Sequence, residues 1–428
     1  RVRVSMLSTL PAAPTLGTMS IPDRSRPLEL VEVPPGPAAI EALWGPLDAA
    51  LAHDAPIAPI PRESASLPAP LVRAVRDAVR PEEPVPHDTA VIISTSGSTG
   101  HPRGVMFGAH ALTAATAQVH SRVEGEPIWV LALPPTSIGG LNVMIRAHNT
   151  GIRPIAVRSI GGAEPFTDHA FATAVREATA TGRPIAVSLV PSQVTRLLAS
   201  AAGQESLRQC SLTLVGGGPV DPQLPSHCQD AGITLTTTYG MTETSGGCVF
   251  DGRPLDGVEV RIDDADSRVC VSGPMLAQGY RDGDNRAFDG HWLRTNDRGT
   301  WKDGLVSIDG RLDDIVSLHG VNVDLAAVQE RVDQHPRIEA SLIIPTFGQS
   351  SDANTTDEPR IAMVYVGEPV DHEELRAWIS PTLGAIACPT VIRRVDTLTR
   401  TLTGKVDRQA TAASAGLGIG TSRKEGAA

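Results

Sequence analysis

The sequence predicts an α/β protein: a large layered α/β N-terminal domain with a β subdomain, followed by a small α+β C-terminal domain. Three observations carry this. Short β-branched runs alternate with Ala-rich helical patterns from residue 90 to 238. After residue 256 the texture changes to short strands joined by Gly/Asp turns, and past residue 311 a compact βαβ-like pattern closes the chain. Strand–helix alternation of the first kind buries a largely parallel sheet between helical layers.

In chain order, strands are expected at 90–95, 128–133, 154–157, 185–190, 212–215 and 233–238, each a short apolar run bounded by turn residues. Helices are expected between them at 109–120, 168–180, 192–201 and 222–231. The β subdomain takes strands at 258–262, 268–272 and 305–308. The tail reads as a helix at 324–334, strands at 340–344 and 360–366, and a helix at 372–379. Residues 348–359 are polar and turn-rich, which predicts a flexible surface loop. From about residue 411 the chain is small and polar and is expected to be disordered.

The 428 residues carry a net charge of −11, with 41% hydrophobic and 20% charged residues. That composition is globular, and its acidity excludes nonspecific nucleic-acid binding and attachment to an anionic membrane as main functions. No run approaches the length of a membrane span, and the first ten residues lack the apolar stretch of a signal peptide. Cys210, Cys228, Cys248, Cys270 and Cys388 are odd in number and widely spaced, which predicts reduced thiols and a cytoplasmic protein. Only three lysines (Lys302, Lys405, Lys424) stand among 34 arginines, so a lysine inside a distinctive motif stands out.

Five segments carry chemistry. Ser94-Thr95-Ser96-Gly97-Ser98-Thr99-Gly100-His101-Pro102-Arg103-Gly104 follows an apolar strand, and its hydroxyls and successive N–H groups can cradle phosphate oxygens in a strand–loop–helix setting. It is not a Walker A loop. Thr236-Thr237-Thr238-Tyr239-Gly240-Met241-Thr242-Glu243-Thr244 ends another strand and offers a ring to stack on a base, hydroxyls for phosphate and a carboxylate for Mg²⁺. Leu293-Arg294-Thr295-Asn296-Asp297-Arg298-Gly299 supplies an aspartate suited to a ribose diol. Gly310-Arg311-Leu312-Asp313-Asp314-Ile315 and Thr401-Leu402-Thr403-Gly404-Lys405-Val406-Asp407-Arg408 follow. Read alone, each of these last three is a turn or a surface charge cluster; their joint order is distinctive.

From about residue 88 to 410, that order and spacing resemble the adenylate-forming superfamily of acyl-CoA synthetases, peptide-synthetase adenylation domains and luciferases. The resemblance implies domains at 1–311 and 312–428, the second small and mobile, with a hinge beside Asp313. It implies ATP, Mg²⁺ and CoA as cofactor and co-substrates. Thr95, Ser96, Gly97, Ser98, Thr99, Gly100 and Arg103 would hold the phosphates. Gly216, Gly217 and Gly218 would flank adenine with Tyr239, Gly240 and Met241. Thr242 would lie near the α-phosphate, Glu243 would hold Mg²⁺, and Asp297 and Arg311 would grip the ribose. Lys405 would bridge the reacting carboxylate and the α-phosphate.

Within the superfamily, the Gly216-Gly217-Gly218-Pro219 turn, the run from Tyr239 to Gly252 and Leu189-Val190-Pro191-Ser192-Gln193 are most similar to the o-succinylbenzoate–CoA ligases of menaquinone biosynthesis. Such an acid is a dianion with an aromatic ring, so its pocket needs apolar walls and a cation for the second carboxylate. Ser192, Gln193 and Arg196 at a helix start, with Gly246 and Gly247 leaving room, would form it; Arg146 is a second arginine of the same kind. The resemblance also implies a homodimer.

Two positions depart from the family. Arg103 stands where relatives usually have lysine, and Thr136 where they tend to carry histidine. The second departure leaves another aryl- or acyl-CoA ligase open as an alternative. A catalytically decayed nucleotide-binding protein is the rival of a different class, against which the retained Glu243, Asp297, Arg311 and Lys405 count.

Overall fold

The computed structural model describes residues 25–64, 67, 69–95, 102–119, 122–319, 321–347, 359–400 and 406–418. Its larger part is five layers deep. A seven-stranded sheet runs Arg253–Pro254, Gly246–Phe250, Leu235–Met241, Cys210–Gly216, Ile185–Leu189, Ile128–Leu131, Ile155–Ala156 across its width. The last five of these strands are mutually parallel, and Gly246–Phe250 folds back antiparallel. Helices Asp168–Thr179, Pro191–Leu198, Ala201–Arg208 and Leu224–Asp230 cover one face around Phe171, Val187 and Leu197.

The other face meets helices Ala38–Leu51, Ala109–Ala117 and Ile138–Thr150, which a second sheet covers in turn. That five-stranded sheet orders Glu29–Val33, Ile57–Pro61, Val91–Thr95, Arg103–Phe107 and Gly279–Tyr280. Helix Ala69–Val79 closes its outer side on Ala58, Ile60 and Ile92.

The sequence alternation predicts the strands of the parallel sheet to within a few residues, with differences that have physical causes. Helix Ile138–Thr150 was not expected because it is buried almost all round, so it shows no amphipathic stripe; Gly151, at φ 68°, ends it in the left-handed conformation. The expected helix at 192–201 is two helices, because Ser200 turns the chain and caps the second by accepting from Gly203 N. The glycine-rich segment does not lead from a strand into a helix. It joins Val91–Thr95 to Arg103–Phe107, two antiparallel strands in which Thr95 pairs with Arg103.

Beyond residue 256, Glu259–Ile262, Arg268–Ser272, Trp292–Lys302 and Leu305–Arg311 form an antiparallel sheet that includes Phe288–Asp289. A hairpin, Ile315–Leu318 with Val321–Asp324, leads to a three-stranded sheet of Ile338–Phe347, Pro359–Gly367 and Val391–Arg394. Helices Leu325–Asp333 and His372–Leu383 pack on one face, each capped by an aspartate, Asp324 and Asp371. The expected disorder from residue 411 does not extend over 411–418. Helix Arg408–Ser414 seats Thr411 and Ala412 in the core of the opposite face, and Thr346 donates to the Gly418 carbonyl at 3.0 Å. The 348–358 stretch of the expected loop lies outside the described residues.

Candidate active site

Ligands of parallel α/β sheets bind beyond the carboxyl ends of the strands. Three adjacent strands here end in sequence motifs: Ile185–Leu189 runs into Pro191-Ser192-Gln193, Cys210–Gly216 into Gly217-Gly218, and Leu235–Met241 into Thr242-Glu243. Two glycines are needed for close approach. A Cβ on Gly216 would strike the Thr238 side chain, and one on Gly240 the Gly246 carbonyl. Gly217, at φ 78°, makes the exposed turn that follows.

Asp297 is the centre of a hydrogen-bonded hub. It accepts from the Tyr239 hydroxyl at 2.8 Å and from Arg311 Nη1 at 3.1 Å, and strand register places it directly opposite Arg311. Arg311 also grips Asp313 with two bonds of 2.8 Å, tying the hub to the expected hinge. Thr295 fixes this stretch of the strand, donating to the Val269 carbonyl at 2.7 Å and accepting from Asp297 N at 3.0 Å. Burial, then the charge of Asp297, holds the Tyr239 phenol well above its ordinary pKa, so it stays a donor. Burial works against the Arg311 charge, and Asp313 and Asp297 outweigh it, raising its pKa.

The Thr242–Thr244 turn presents Glu243. Thr244 accepts from Met241 N at 2.9 Å and donates to the Gly246 carbonyl at 2.7 Å. Ser245, at φ 51°, donates to the Met275 carbonyl at 2.7 Å, and buried Asn142 donates to the Ser245 carbonyl at 2.7 Å. Glu243 Oε1 accepts from Tyr280 at 2.7 Å; its second oxygen has no partner among the described residues.

Arg103 lies beside this turn. It makes two bonds to Asp282, at 2.7 and 2.8 Å, and one to the Asp284 carbonyl at 2.9 Å, so the arginine expected on phosphate is held by a carboxylate here. Thr95 Oγ1 accepts from Arg103 N at 3.3 Å. Ser96, Gly97, Ser98, Thr99, Gly100 and Lys405 lie outside the described residues.

The expected acid-binding residues separate. Gly246, at φ 90°, packs against Asn142, and Gly247 packs against Thr238. Gln193 is a structural tie: it accepts from Val190 N at 3.0 Å and donates to the Ala132 carbonyl at 3.2 Å. Ser192 is exposed at the helix start. Arg196 is not drawn to these groups; it is exposed and donates to the Phe166 carbonyl at 2.7 Å.

Arg146 behaves differently. One helical turn beyond Asn142, it is 3% exposed, donates to Ser188 Oγ at 3.2 Å and lies 5.0 Å from the Trp129 ring. No carboxylate pairs with it among the described residues, and its Nε is buried without a bond. Burial pushes its pKa down from the ordinary guanidinium range to about 9. The unfolded chain therefore binds the proton more tightly, and stability rises as pH climbs above about 9, the full cost of the buried charge being present below. Arg146→Met is expected to stabilise the fold at pH 7 by about 1–4 kcal/mol, read by urea denaturation. A loss of stability would mean that its bonds to Ser188 and Trp129 outweigh desolvation.

Asn142, Tyr280 and Asp282 are site residues that lie outside the motifs. Tyr280 had one signal: it is one of three tyrosines in the chain.

Charged groups gathered at the carboxyl ends of a parallel sheet, with a phenol and an aspartate joined by a hydrogen bond, mark a ligand site of the kind α/β enzymes carry. Residues 38–281 match the AMP-binding enzyme family. A protein of Mycobacterium tuberculosis named probable 2-succinylbenzoate–CoA ligase is 36% identical over 342 residues, covering 78% of this chain and 86% of that one. A 2-succinylbenzoate–CoA ligase of Listeria innocua is 26% identical, over 75% of this chain and 69% of its own. The o-succinylbenzoate coenzyme A synthetase of Bacillus subtilis, in complex with ATP and magnesium ion, has the same fold with a TM-score of 0.65 at 19% identity, over 90% of this chain and 89% of that one. An amide bond synthetase of Marinactinospora thermotolerans gives 0.66 at 22% identity, over 91% and 89%. The chain belongs to the AMP-binding enzyme family.

Proposed function

We propose that the protein is an ATP-dependent acid–thiol ligase that activates o-succinylbenzoate as its acyl-adenylate and transfers the acyl group to CoA. The observation that carries the reading is the Tyr239–Asp297–Arg311 hub set against Glu243 across the ends of the parallel strands. The identity of the acid is supported by the 36% identical relative.

In this reading Asp297 exchanges its bonds with Tyr239 and Arg311 for the ribose diol, and Tyr239 lies against adenine beside Gly216, Gly217, Gly218, Gly240 and Met241. The segment from Thr95 to Arg103 and Thr242 hold the phosphates. A lone carboxylate fits Mg²⁺, which takes one or two carboxylates together with substrate phosphates; no group of three or more ligating side chains occurs among the described residues. Glu243 would hold it, and the ion would neutralise charge building on the phosphates. Lys405 meets the same charge from the other side as the substrate carboxylate attacks the α-phosphorus and pyrophosphate leaves. The CoA thiol then displaces AMP from the mixed anhydride.

The second carboxylate of the acid needs a cation. Arg146, buried without an acidic partner one turn beyond the Asn142–Ser245 contact, suits this better than Arg196, which is exposed. Replacing Arg146 is expected to raise KM for the dianionic acid by about tenfold or more over a monoanionic analogue, an effect of one charge-assisted bond. If Arg196→Ala shows that selectivity instead, the recognition role passes to Arg196.

Pyrophosphate release with Mg²⁺ and ATP across o-succinylbenzoate, benzoate, a medium-chain fatty acid and amino acids, with and without CoA, tests the reading. Release confined to another acid moves the substrate, and ATP binding with no release for any acid removes the ligase. All five cysteines are buried and free, which suits a cytoplasmic enzyme. No described helix is long and apolar enough to cross a membrane. Light scattering would report the homodimer that the family resemblance implies.

A further inference from the structure

The segment from Gly279 to Asp282 lies outside every sequence motif, yet it touches two of them. The Tyr280 hydroxyl donates to Glu243 Oε1 at 2.7 Å, while the Arg103 guanidinium lies 3.5 Å over the centre of the same ring. Phe288 meets that ring edge-on, with centroids 5.7 Å apart. Asp282, two residues on, holds Arg103 in a two-bond clamp. One aromatic ring therefore joins the arginine that closes the glycine-rich segment to the carboxylate of the Thr242–Thr244 turn.

That ring is on a rigid mount. Gly279 and Tyr280 pair antiparallel with Met106 and Val105, placing Tyr280 diagonally beside Arg103. Asn285 Oδ1 accepts from Tyr280 N at 2.7 Å. Buried Arg281 donates to the carbonyls of Val79, Arg80 and Pro84 at 3.2, 3.1 and 3.0 Å, and to that of Glu83. These close the carboxyl end of helix Ala69–Val79 and the turn after it, where carbonyls lack helical partners. The phenol is buried, with its hydroxyl held on Glu243 and its ring between Arg103 and Phe288.

We propose that Tyr280 is a positioning residue that fixes Glu243 for Mg²⁺ and couples it mechanically to Arg103. The proposal rests on the ligase reading above. With the phenol on Oε1, Oε2 is the oxygen that would hold the metal, and a supporting bond of this kind sets ligand orientation. Because Arg103 stacks on the same ring, a phosphate that draws Arg103 away from Asp282 also acts on the support of Glu243.

The test is Tyr280→Phe in the full chain, which keeps the stacked ring and removes the hydroxyl. Mn²⁺ binding to the protein–ATP complex, read by electron paramagnetic resonance, is expected to weaken about 10-fold. Metal-free ATP binding and Tm should stay unchanged. Tyr280→Leu removes the stack as well and should also weaken metal-free ATP binding, through Arg103. Wild-type Mn²⁺ affinity in Tyr280→Phe overturns the positioning role, and equal behaviour of the two variants overturns the coupling. Absence of Mn²⁺–ATP binding in the wild-type protein would instead sink the ligase reading on which the proposal stands.

Discussion

Asp297→Ala is expected to lower kcat/KM for ATP by about 10²–10⁴-fold, the loss of two bonds to a charged group at roughly 1.5–3 kcal/mol each. Asp297 is 7% exposed and already accepts from Tyr239 and Arg311, so its carboxylate is preorganised as an acceptor of paired donors. A ribose diol presents the same pair. Stability should fall by only about 1–3 kcal/mol, because the Tyr239 hydroxyl loses its partner while Arg311 keeps Asp313. Calorimetric titration with ATP and a thermal melt separate the two effects. Tyr239→Phe is the control: the carboxylate keeps Arg311, so the loss in kcat/KM should be smaller, about tenfold. ATP affinity unchanged in Asp297→Ala would move the ribose site away from the hub.

The strands of the parallel sheet were legible because each is a short β-branched run between turn residues, a local signal. The five-stranded sheet was legible only at Val91–Thr95: before residue 90 the runs are shorter and broken by prolines, and Ile57–Pro61 holds two of them within a buried strand. Helix Ile138–Thr150 was hidden for the opposite reason, since burial on every side erases its period. In the site, residues that occupy a motif could be found by spacing. Those that support a motif from far along the chain could not. Asn142 reaches Ser245 across 103 residues and Arg281 reaches Val79 across 202, contacts that only the fold brings about. Arg196 shows the converse: its place at a helix start after a strand suggested a pocket, but the rotation of that helix turns it outward while Val194 and Leu197 face the core.

Lys405→Ala is expected to slow adenylate formation by about 10²–10³-fold, comparable to removing one preorganised group that stabilises transition-state charge. ATP binding should be nearly intact, because the hub, Glu243 and the glycine-rich segment remain. The described residues that follow Lys405 in sequence are well tied. Asp407 caps helix Arg408–Ser414 by accepting from Ala410 N at 2.9 Å, and Arg408 donates to buried Asp314 at 2.6 Å. Asp314 neighbours Asp313, which Arg311 holds, so two ion pairs on adjacent residues tie the Tyr239–Asp297–Arg311 hub to Arg408. Lys405→Arg should not restore the rate, since a planar fork cannot replace a compact point charge set between two oxygens. The second half-reaction discriminates further. Supplied with preformed acyl-adenylate and CoA, Lys405→Ala should make thioester at the wild-type rate, because the phosphoryl charge that the proposed role gives Lys405 to neutralise has already been resolved. An equal loss in both half-reactions would make Lys405 a structural residue, and no loss in either would remove it from the mechanism.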